Sequence, residues 1–398
     1  MDGDADADVV IIGAGAAGLG LALRLTAPGA WAARPPSVTV LEAYPGPLRV
    51  PDRTWCFWER GPGEHDPLLT GHWDRLRVTG GDGRPAESDL GPWRYKMLRS
   101  ARFEAAARQT LAARGCGRRT VDVDSVRDHP GGAEVRGHDA DGRTRTFRAR
   151  WVFDSRPPRP LPPSRTTLLQ HFKGWFVRTP APAFDPSHAH LMDFRTPQPT
   201  SGLSFGYVLP FSRTEALVEY TRFSSRVLPD AAYDGELRDY CRDVLGLRAF
   251  TVTGTEAGVI PMTDARFPRR RGRAIVPIGA AGGATRPSTG YTFAAIQRQT
   301  RAIDTALRHG HDPAVPAPYG ARPLAMDAVL LRALATGRMD GARFFTDLFR
   351  TVPADRLLRF LDGTTTWWED LLLGLRTPMA PMLLTLLELP LVRRRTHP

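Results

Sequence analysis

Cysteine is scarce in this chain, and what is missing narrows the choice of class before any motif is read. The three cysteines, Cys56, Cys116 and Cys241, are odd in number and widely spaced, which fits a reducing compartment without structural disulfides and offers no metal-ligand spacing. No metal site is expected. A secretory leader is also lacking: Asp2, Asp4, Asp6 and Asp8 precede a strand directly, so a cytoplasmic location is the expectation. The net charge of +12 raises the question of nucleic acid or an anionic membrane. Its basic residues are scattered, however, without a helix-turn-helix pattern, zinc spacing or single-strand-binding aromatics, and no nucleic-acid partner is expected.

What is present is an ordinary globular composition, with 42% hydrophobic and 24% charged residues over 398 positions. That length buries a large core and predicts two or three interwoven domains. The 36 prolines and 38 glycines concentrate in loops, such as residues 34–37 and 156–163.

Residues 8–12 form a short β-branched strand that leads at once into Gly13-Ala-Gly15-Ala-Ala-Gly18 and an alanine- and leucine-rich helix. In this dinucleotide fingerprint Gly13 makes the turn, Gly15 admits the backbone to a pyrophosphate, and Gly18 lets helix and strand pack closely. A second strand, 38–41, ends at Glu42, 24 residues beyond Gly18, close to where an acid meets the ribose hydroxyls. Residues 95–98 read as a strand, and Ser100 is the expected cap of a helix carrying Arg102, a candidate cofactor contact and otherwise a surface arginine. After a polar hairpin region at 121–148, the strand starting at Trp151 should return to the nucleotide sheet, and the prolines of 157–163 should leave it.

From residue 168 the pattern becomes that of a strand series: 169–177, 189–194, 203–209 and 215–223. A second strand, glycine-rich loop and helix follows, with Ala274 to Ile278, then Gly279, Gly282, Gly283, Thr289 and Gly290, then a helix to about Leu307. Two such segments some 265 residues apart suit an extended cofactor. The last eighty or so residues read as helices. The stretch 379–392, interrupted by Pro381, Glu388 and Pro390 and followed by Arg393, Arg394 and Arg395, is too short and broken to span a bilayer. It suits either a membrane surface or the protein's own body.

The strand 217–223 places Leu217, Glu219, Thr221 and Phe223 on one face. A carboxyl among such neighbours has reason to keep its proton and act as an acid; the alternatives are a solvated carboxylate or half of an ion pair. Phe205 and Tyr207 on the preceding strand are placed to share a pocket with it.

In Asp8 to Gly18, Arg53-Thr-Trp, Phe153-Asp-Ser-Arg, Gln170-His-Phe-Lys-Gly-Trp, Leu209-Pro-Phe-Ser, Leu217-Val-Glu-Tyr-Thr-Arg-Phe and Pro287-Ser-Thr-Gly-Tyr, the chain resembles the flavin-dependent lycopene cyclases of bacteria. The resemblance implies an α/β fold: an FAD-binding Rossmann-like domain of glutathione-reductase type, an interleaved antiparallel β-sheet substrate domain and a helical C-terminal part. The divisions expected are 1–160 and 256–310 for the cofactor, 161–255 for the sheet and 311–398 for the helices. It further implies that Glu219 is the catalytic acid, although plant relatives carry two adjacent acids and here Tyr220 takes the second place. Ala280 stands where many flavin hydroxylases have an Asp. The implied activity is that of an isomerase: non-redox, acid-initiated closure of the linear ends of lycopene to β-ionone rings. Reduced FAD takes part, NADPH serves as reductant, and the enzyme attaches peripherally to the inner face of the cell membrane. An FAD-dependent hydroxylase or prenyl reductase, and a non-catalytic prenyl-binding protein, are the alternatives.

Overall fold

In chain order the first elements are β1 (Ala7–Ile12), α1 (Ala16–Leu25), β2 (Val38–Glu42), β3 (Thr54–Arg60), β4 (Gly71–Trp73), β5 (Arg75–Thr79), β6 (Pro85–Asp89), β7 (Trp93–Arg99) and α2 (Ser100–Ala113). The middle supplies β8 (Gly117–Thr120), β9 (Asp122–His129), β10 (Gly132–His138), β11 (Thr144–Asp154), β12 (Thr167–Arg178), β13 (Ala189–Asp193), β14 (Leu203–Pro210), β15 (Glu215–Ser224), α3 (Asp230–Asp239) and β16 (Thr251–Thr263). Last come β17 (Ile275–Pro277), α4 (Phe293–Arg308), α5 (Ala321–Ala335), α6 (Gly341–Thr351), α7 (Ala354–Leu361), α8 (Trp367–Gly374) and α9 (Met379–Glu388). The structure is a computed structural model and describes residues 7–396 apart from 30, 32–33, 47, 49–50, 315 and 377–378.

The first sheet runs β8-β2-β1-β11-β10-β9, with β17 also paired to β11. Its strands β8, β2, β1, β11 and β17 are parallel, and β9–β10 is an antiparallel hairpin. Because both faces are covered, β1 reads as an unbroken apolar run. Val9 and Ile11 pack with Leu19 and Leu21 of α1, Phe103 of α2 and Ile296 of α4, while Val10 and Ile12 cluster with Val135, Phe147 and Val152. Ser100 is not the cap of α2. The helix starts at that residue with Arg99 as its N-cap, and the Ser100 hydroxyl instead accepts a 3.0 Å hydrogen bond from the Arg53 amide, because β7 runs into the helix without an intervening loop.

The second sheet runs β16-β12-β15-β14-β13-β5-β6 and is antiparallel except where β13 pairs with β5. It takes β5 and β6 from residues 75–89 as well as the strands from 167 onward, and its edge strand β16 continues to Thr263. One face, through Val218, Tyr220 and Trp175, packs on Tyr233 and Leu237 of α3. The other, through Leu209, Leu217 and Phe223, shares a core with Trp58 and Tyr95 of the small sheet β3-β7-β4 and with Leu331, Phe345 and Leu358 of the C-terminal helices.

A buried ion pair ties the second glycine-rich loop to those helices. Arg286 and Asp327 are 1% and 2% exposed, their Nη2 and Oδ1 lie 3.1 Å apart, and the Ser288 hydroxyl donates to the same Oδ1 at 2.6 Å. The Arg286 guanidinium also donates to the Phe360 carbonyl. Removing one buried charge strands the other, so Asp327→Ala is expected to cost about 3–5 kcal/mol in a denaturant titration. The paired Arg286→Met, Asp327→Leu variant is expected to cost less than either charge-stranding single change.

Candidate active site

Across four neighbouring strands, Tyr207 on β14 lies opposite Glu219 on β15, Glu219 opposite Gly174 on β12, and Gly174 opposite Glu256 on β16. Residues directly opposite in a ladder point to the same face. Glu219 and Glu256 are therefore separated by two strand spacings, roughly 10 Å between backbones, and reach toward each other over a position with no side chain. A Cβ at Gly174 would sit 2.7 Å from Glu219 Cγ, so any larger residue there would push into the glutamate. Both carboxyls are buried.

Burial, then the negative charge of Glu256, then a hydrogen bond between the two groups hold Glu219 well above the usual carboxylate range. Burial raises Glu256 too, but the Thr54 hydroxyl, which donates to its Oε2 at 2.7 Å, and the positive charge of Arg99 pull the other way. Glu219 is thus the member that keeps a proton and Glu256 the member that accepts.

The rest of the wall is aromatic and neutral. The Tyr95 hydroxyl lies 2.7 Å from that of Tyr207 and 3.1 Å from that of Tyr291, whose ring meets Trp58 edge-on at 4.5 Å. Burial pushes the Cys56 thiol up to about 12, so it is uncharged and no nucleophile. A cleft lined by Cys56, Phe57, Trp58, Tyr291, Thr292 and Tyr319 lies between β3 and the start of α4. A groove of ≈ 210 Å³ lined by Arg99, Phe176, Phe211 and Gly254 lies beside Gly174 and Glu256, two residues along their strands. His171 takes no part: its ring nitrogens meet Ser224 Oγ and the Tyr233 hydroxyl, and burial lowers it to about 4.

The glycines expected to hold a dinucleotide lie at the turn between β1 and α1 and in the loop after β17. Gly13 turns with φ +99°, and a Cβ on it would strike Ser155 Oγ at 2.2 Å. At Gly18 a Cβ would lie 1.8 Å from the Gly13 carbonyl oxygen, whereas at Gly15 it would meet nothing within 4 Å. Gly15 is the N-cap of α1 and no side chain caps that helix, so its first amides face an open cradle. In the second segment Gly279, Gly283 and Gly290 have positive φ, Gly282 packs against the Pro277 carbonyl, and Thr289 Oγ1 accepts from the Tyr291 amide at 3.4 Å. Glu42 ends β2 as expected, with Oε1 2.9 Å from Arg108 and Oε2 3.6 Å from Arg118. Arg102 is exposed and donates to the Leu69 carbonyl at 2.7 Å.

Glu256, Thr54, Tyr95 and Cys56 were not among the predicted site residues. Tyr291 stood in a quoted motif without a role. The available signal was the end of the Pro-x-Thr-Gly-Tyr loop, which delivers an aromatic ring from a tight turn.

Parallel sheet, two glycine-rich turns and an interleaved second sheet define the class: an α/β protein with a Rossmann-like fold of flavoprotein architecture. The chain belongs to the lycopene cyclase family, whose family model, described as lycopene cyclase protein, matches residues 8–387. Solved structures share the fold at low identity. A geranylgeranyl bacteriochlorophyll reductase-like protein from Thermoplasma acidophilum is 12% identical with a TM-score of 0.63, the match covering 95% of this chain and 98% of that one. A p-nitrophenol 4-monooxygenase from Pseudomonas putida is 17% identical with a TM-score of 0.60, covering 98% and 99%. A flavoprotein/dehydrogenase from Cytophaga hutchinsonii is 14% identical with a TM-score of 0.60, covering 94% and 99%. Comparison with curated proteins finds no significant match.

Because the folded state holds the Glu219 proton more tightly than the unfolded chain, stability falls as pH rises from the ordinary carboxylate value through the raised one. Glu219→Gln removes that term. Its melting temperature is expected to decline less between pH 5 and pH 8 than that of the parent in a scanning-fluorimetry series; parallel declines would contradict the protonated state assigned to Glu219.

Proposed function

We propose that the protein is a lycopene β-cyclase, an isomerase that closes the linear ends of lycopene or a related carotenoid to β-ionone rings. The observation that carries this reading is Glu219, a carboxyl held protonated in an aromatic, water-poor site, in a chain of the lycopene cyclase family. Protonation of the terminal double bond requires an acid that keeps its proton at working pH. Glu219 meets that need through burial and through Glu256.

The Glu219 proton goes to the terminal alkene carbon, and the neighbouring double bond attacks the cation so formed. Loss of a ring proton then sets the double bond of the product. Atoms balance without net oxidation. Around the cation the rings of Tyr207, Tyr95, Tyr291 and Trp58 offer π-faces, and their packing keeps out water that would trap it. The groove beside the pair, with Phe176, Val177 and Phe211 on its apolar side and Arg99, Glu215 and Thr253 on its polar side, offers an approach for a long polyene.

Gly13, Gly15, Gly18 and the uncapped start of α1 would hold the pyrophosphate of FAD, Glu42 its ribose, and the loop carrying Gly279, Gly282, Gly283, Thr289 and Gly290 its far end. Reduced FAD, with NADPH as reductant, supplies negative charge to such a site when bound. The residues present fit the group: the Gly15 cradle is open where a Cβ would close it.

Peripheral membrane attachment belongs to the same reading. On α8 and α9, Trp367, Trp368, Leu372, Leu384 and Leu387 are exposed, Leu387 by 73%. Large apolar side chains exposed on two successive helices suit contact with a membrane surface. No single helix among the described residues is long and apolar enough to cross a membrane. Of the basic residues that follow, Arg394 is engaged with Asp264 at 3.3 Å, which leaves Arg393 and Arg395 exposed.

Expression in a lycopene-accumulating bacterium is expected to give a product isomeric with lycopene, read by chromatography with mass detection. Glu219→Gln is expected to lower its formation on the order of 10²–10⁴-fold with flavin still bound; normal cyclisation would remove Glu219 from the chemistry. Gly15→Val is expected to fold, since its Cβ meets open space, and to emerge without flavin absorbance. The double change Leu384→Lys, Leu387→Lys is expected to shift the protein from the pellet to the supernatant when it is sedimented with anionic vesicles.

A further inference from the structure

We propose that Glu256 is a positioning residue for the reaction, which with Glu219 forms a carboxyl pair across Gly174 that holds a single proton and keeps it on Glu219. The inference rests on the cyclase reading for its chemistry and on the sheet for its geometry. Three structural features converge on it. The two glutamates stand opposite the same glycine on adjoining strands, and Gly174 leaves the gap through which they meet. Glu256 is oriented from its far side, by the Thr54 hydroxyl at 2.7 Å and the charge of Arg99. Among the described residues Glu219 forms no ion pair with a cation, and the neighbour that raises its hold on a proton is Glu256.

A pair with one proton suits an isomerisation. In the first step the Glu219 O–H bond breaks and a C–H bond forms at the terminal alkene carbon, leaving two carboxylates and a substrate cation. Ring closure moves the cation along the carbon skeleton. In the last step a ring C–H bond breaks, its electrons form the new double bond, and the proton returns to the pair. One proton leaves and one comes back, so the pair ends each turnover with the single proton it started with and meets solvent only between turnovers. The two negative charges coexist only while the cation is present, and its attraction offsets their repulsion.

The groups facing the pair from the surrounding elements do not compete for this proton. Cys56 on β3 and Tyr95 on β7, Tyr207 on β14 and Tyr291 from the loop all remain neutral, being shifted upward by burial, and the positive charge of Arg99 on β7 acts on Glu256. Asp362, which lines the cleft with Trp58 and is also raised by burial, is a further carboxyl at this wall, and the Glu219→Gln reference separates its titration from that of the pair.

The test uses flavin-loaded protein and two independent readouts. The first is infrared pH-difference spectroscopy of the protonated carboxyl stretch, with Glu219→Gln as the reference that lacks it. The second is the alkaline limb of product formation. Taking away the Glu256 charge lowers the affinity of Glu219 for its proton, so Glu256→Gln is expected to move both the infrared titration and the alkaline limb down by a pH unit or more, roughly a tenfold loss of product at a fixed pH on that limb. Glu256→Asp keeps the charge one methylene further away and is expected to lie between the two. Melting temperatures confirm that each variant is folded; Thr54→Val, which removes only the hydroxyl donor, gives the same sign should Glu256→Gln be too unstable to assay. An infrared titration unchanged in Glu256→Gln and Thr54→Val overturns the pair. Because that titration needs no turnover, a shifted band in a protein that makes no cyclic carotenoid upholds the pair and rejects the cyclase reading instead.

Discussion

Two carboxyl groups share one buried place because a glycine separates the strands that carry them. Gly174 is the condition on which the site depends: with any side chain in its position Glu219 would be displaced, and Glu256 would face a filled gap. Burial of one carboxyl favours its neutral form, and burial of two in contact makes double ionisation costlier still. The surrounding elements serve that arrangement. The small sheet β3-β7-β4 lays Thr54, Cys56 and Tyr95 over the pair, and the Arg286–Asp327 ion pair fixes the loop that delivers Tyr291.

The same geometry links the two halves of the molecule. The loop after β17 carries the second set of positive-φ glycines and ends at Tyr291, whose hydroxyl joins the tyrosine cluster over Glu219. In the proposed cyclisation this puts the far end of the dinucleotide site and the acid within one continuous wall. At Gly290 a Cβ would run into the Gln170 side chain at 2.3 Å, so the loop and strand β12 of the second sheet are in direct contact through a glycine again.

Much of this was legible in the sequence. The fingerprint from Gly13 to Gly18 sits between strand and helix as spacing requires, Trp151 does return its strand to the parallel sheet beside β1, and the four strands from 169 to 223 pair as a sheet with Glu219 at its centre. Glu256 was not legible. It lies 37 residues after Glu219 in an extended segment of Thr, Gly and Glu with no apolar alternation to mark a buried face, and only the register of β16 on β12 brings it to Gly174. The membership of β5 and β6 in the second sheet was hidden for a related reason: it depends on one parallel pairing with β13, more than a hundred residues away, which no local periodicity encodes. Ser100 misled because its residue type favours a cap, while the uninterrupted run of β7 into α2 gave its hydroxyl to the Arg53 amide.

The central claim is that the protein moves a proton and no net electrons. The measurement that tests it most directly is turnover of lycopene in deuterated water by the flavin-loaded protein, with mass detection of the product. The account predicts a product of lycopene's elemental composition carrying one deuterium for each ring formed, with reductant consumed only in activating the protein. A product that has gained oxygen or a pair of hydrogens in step with reductant consumption would contradict it.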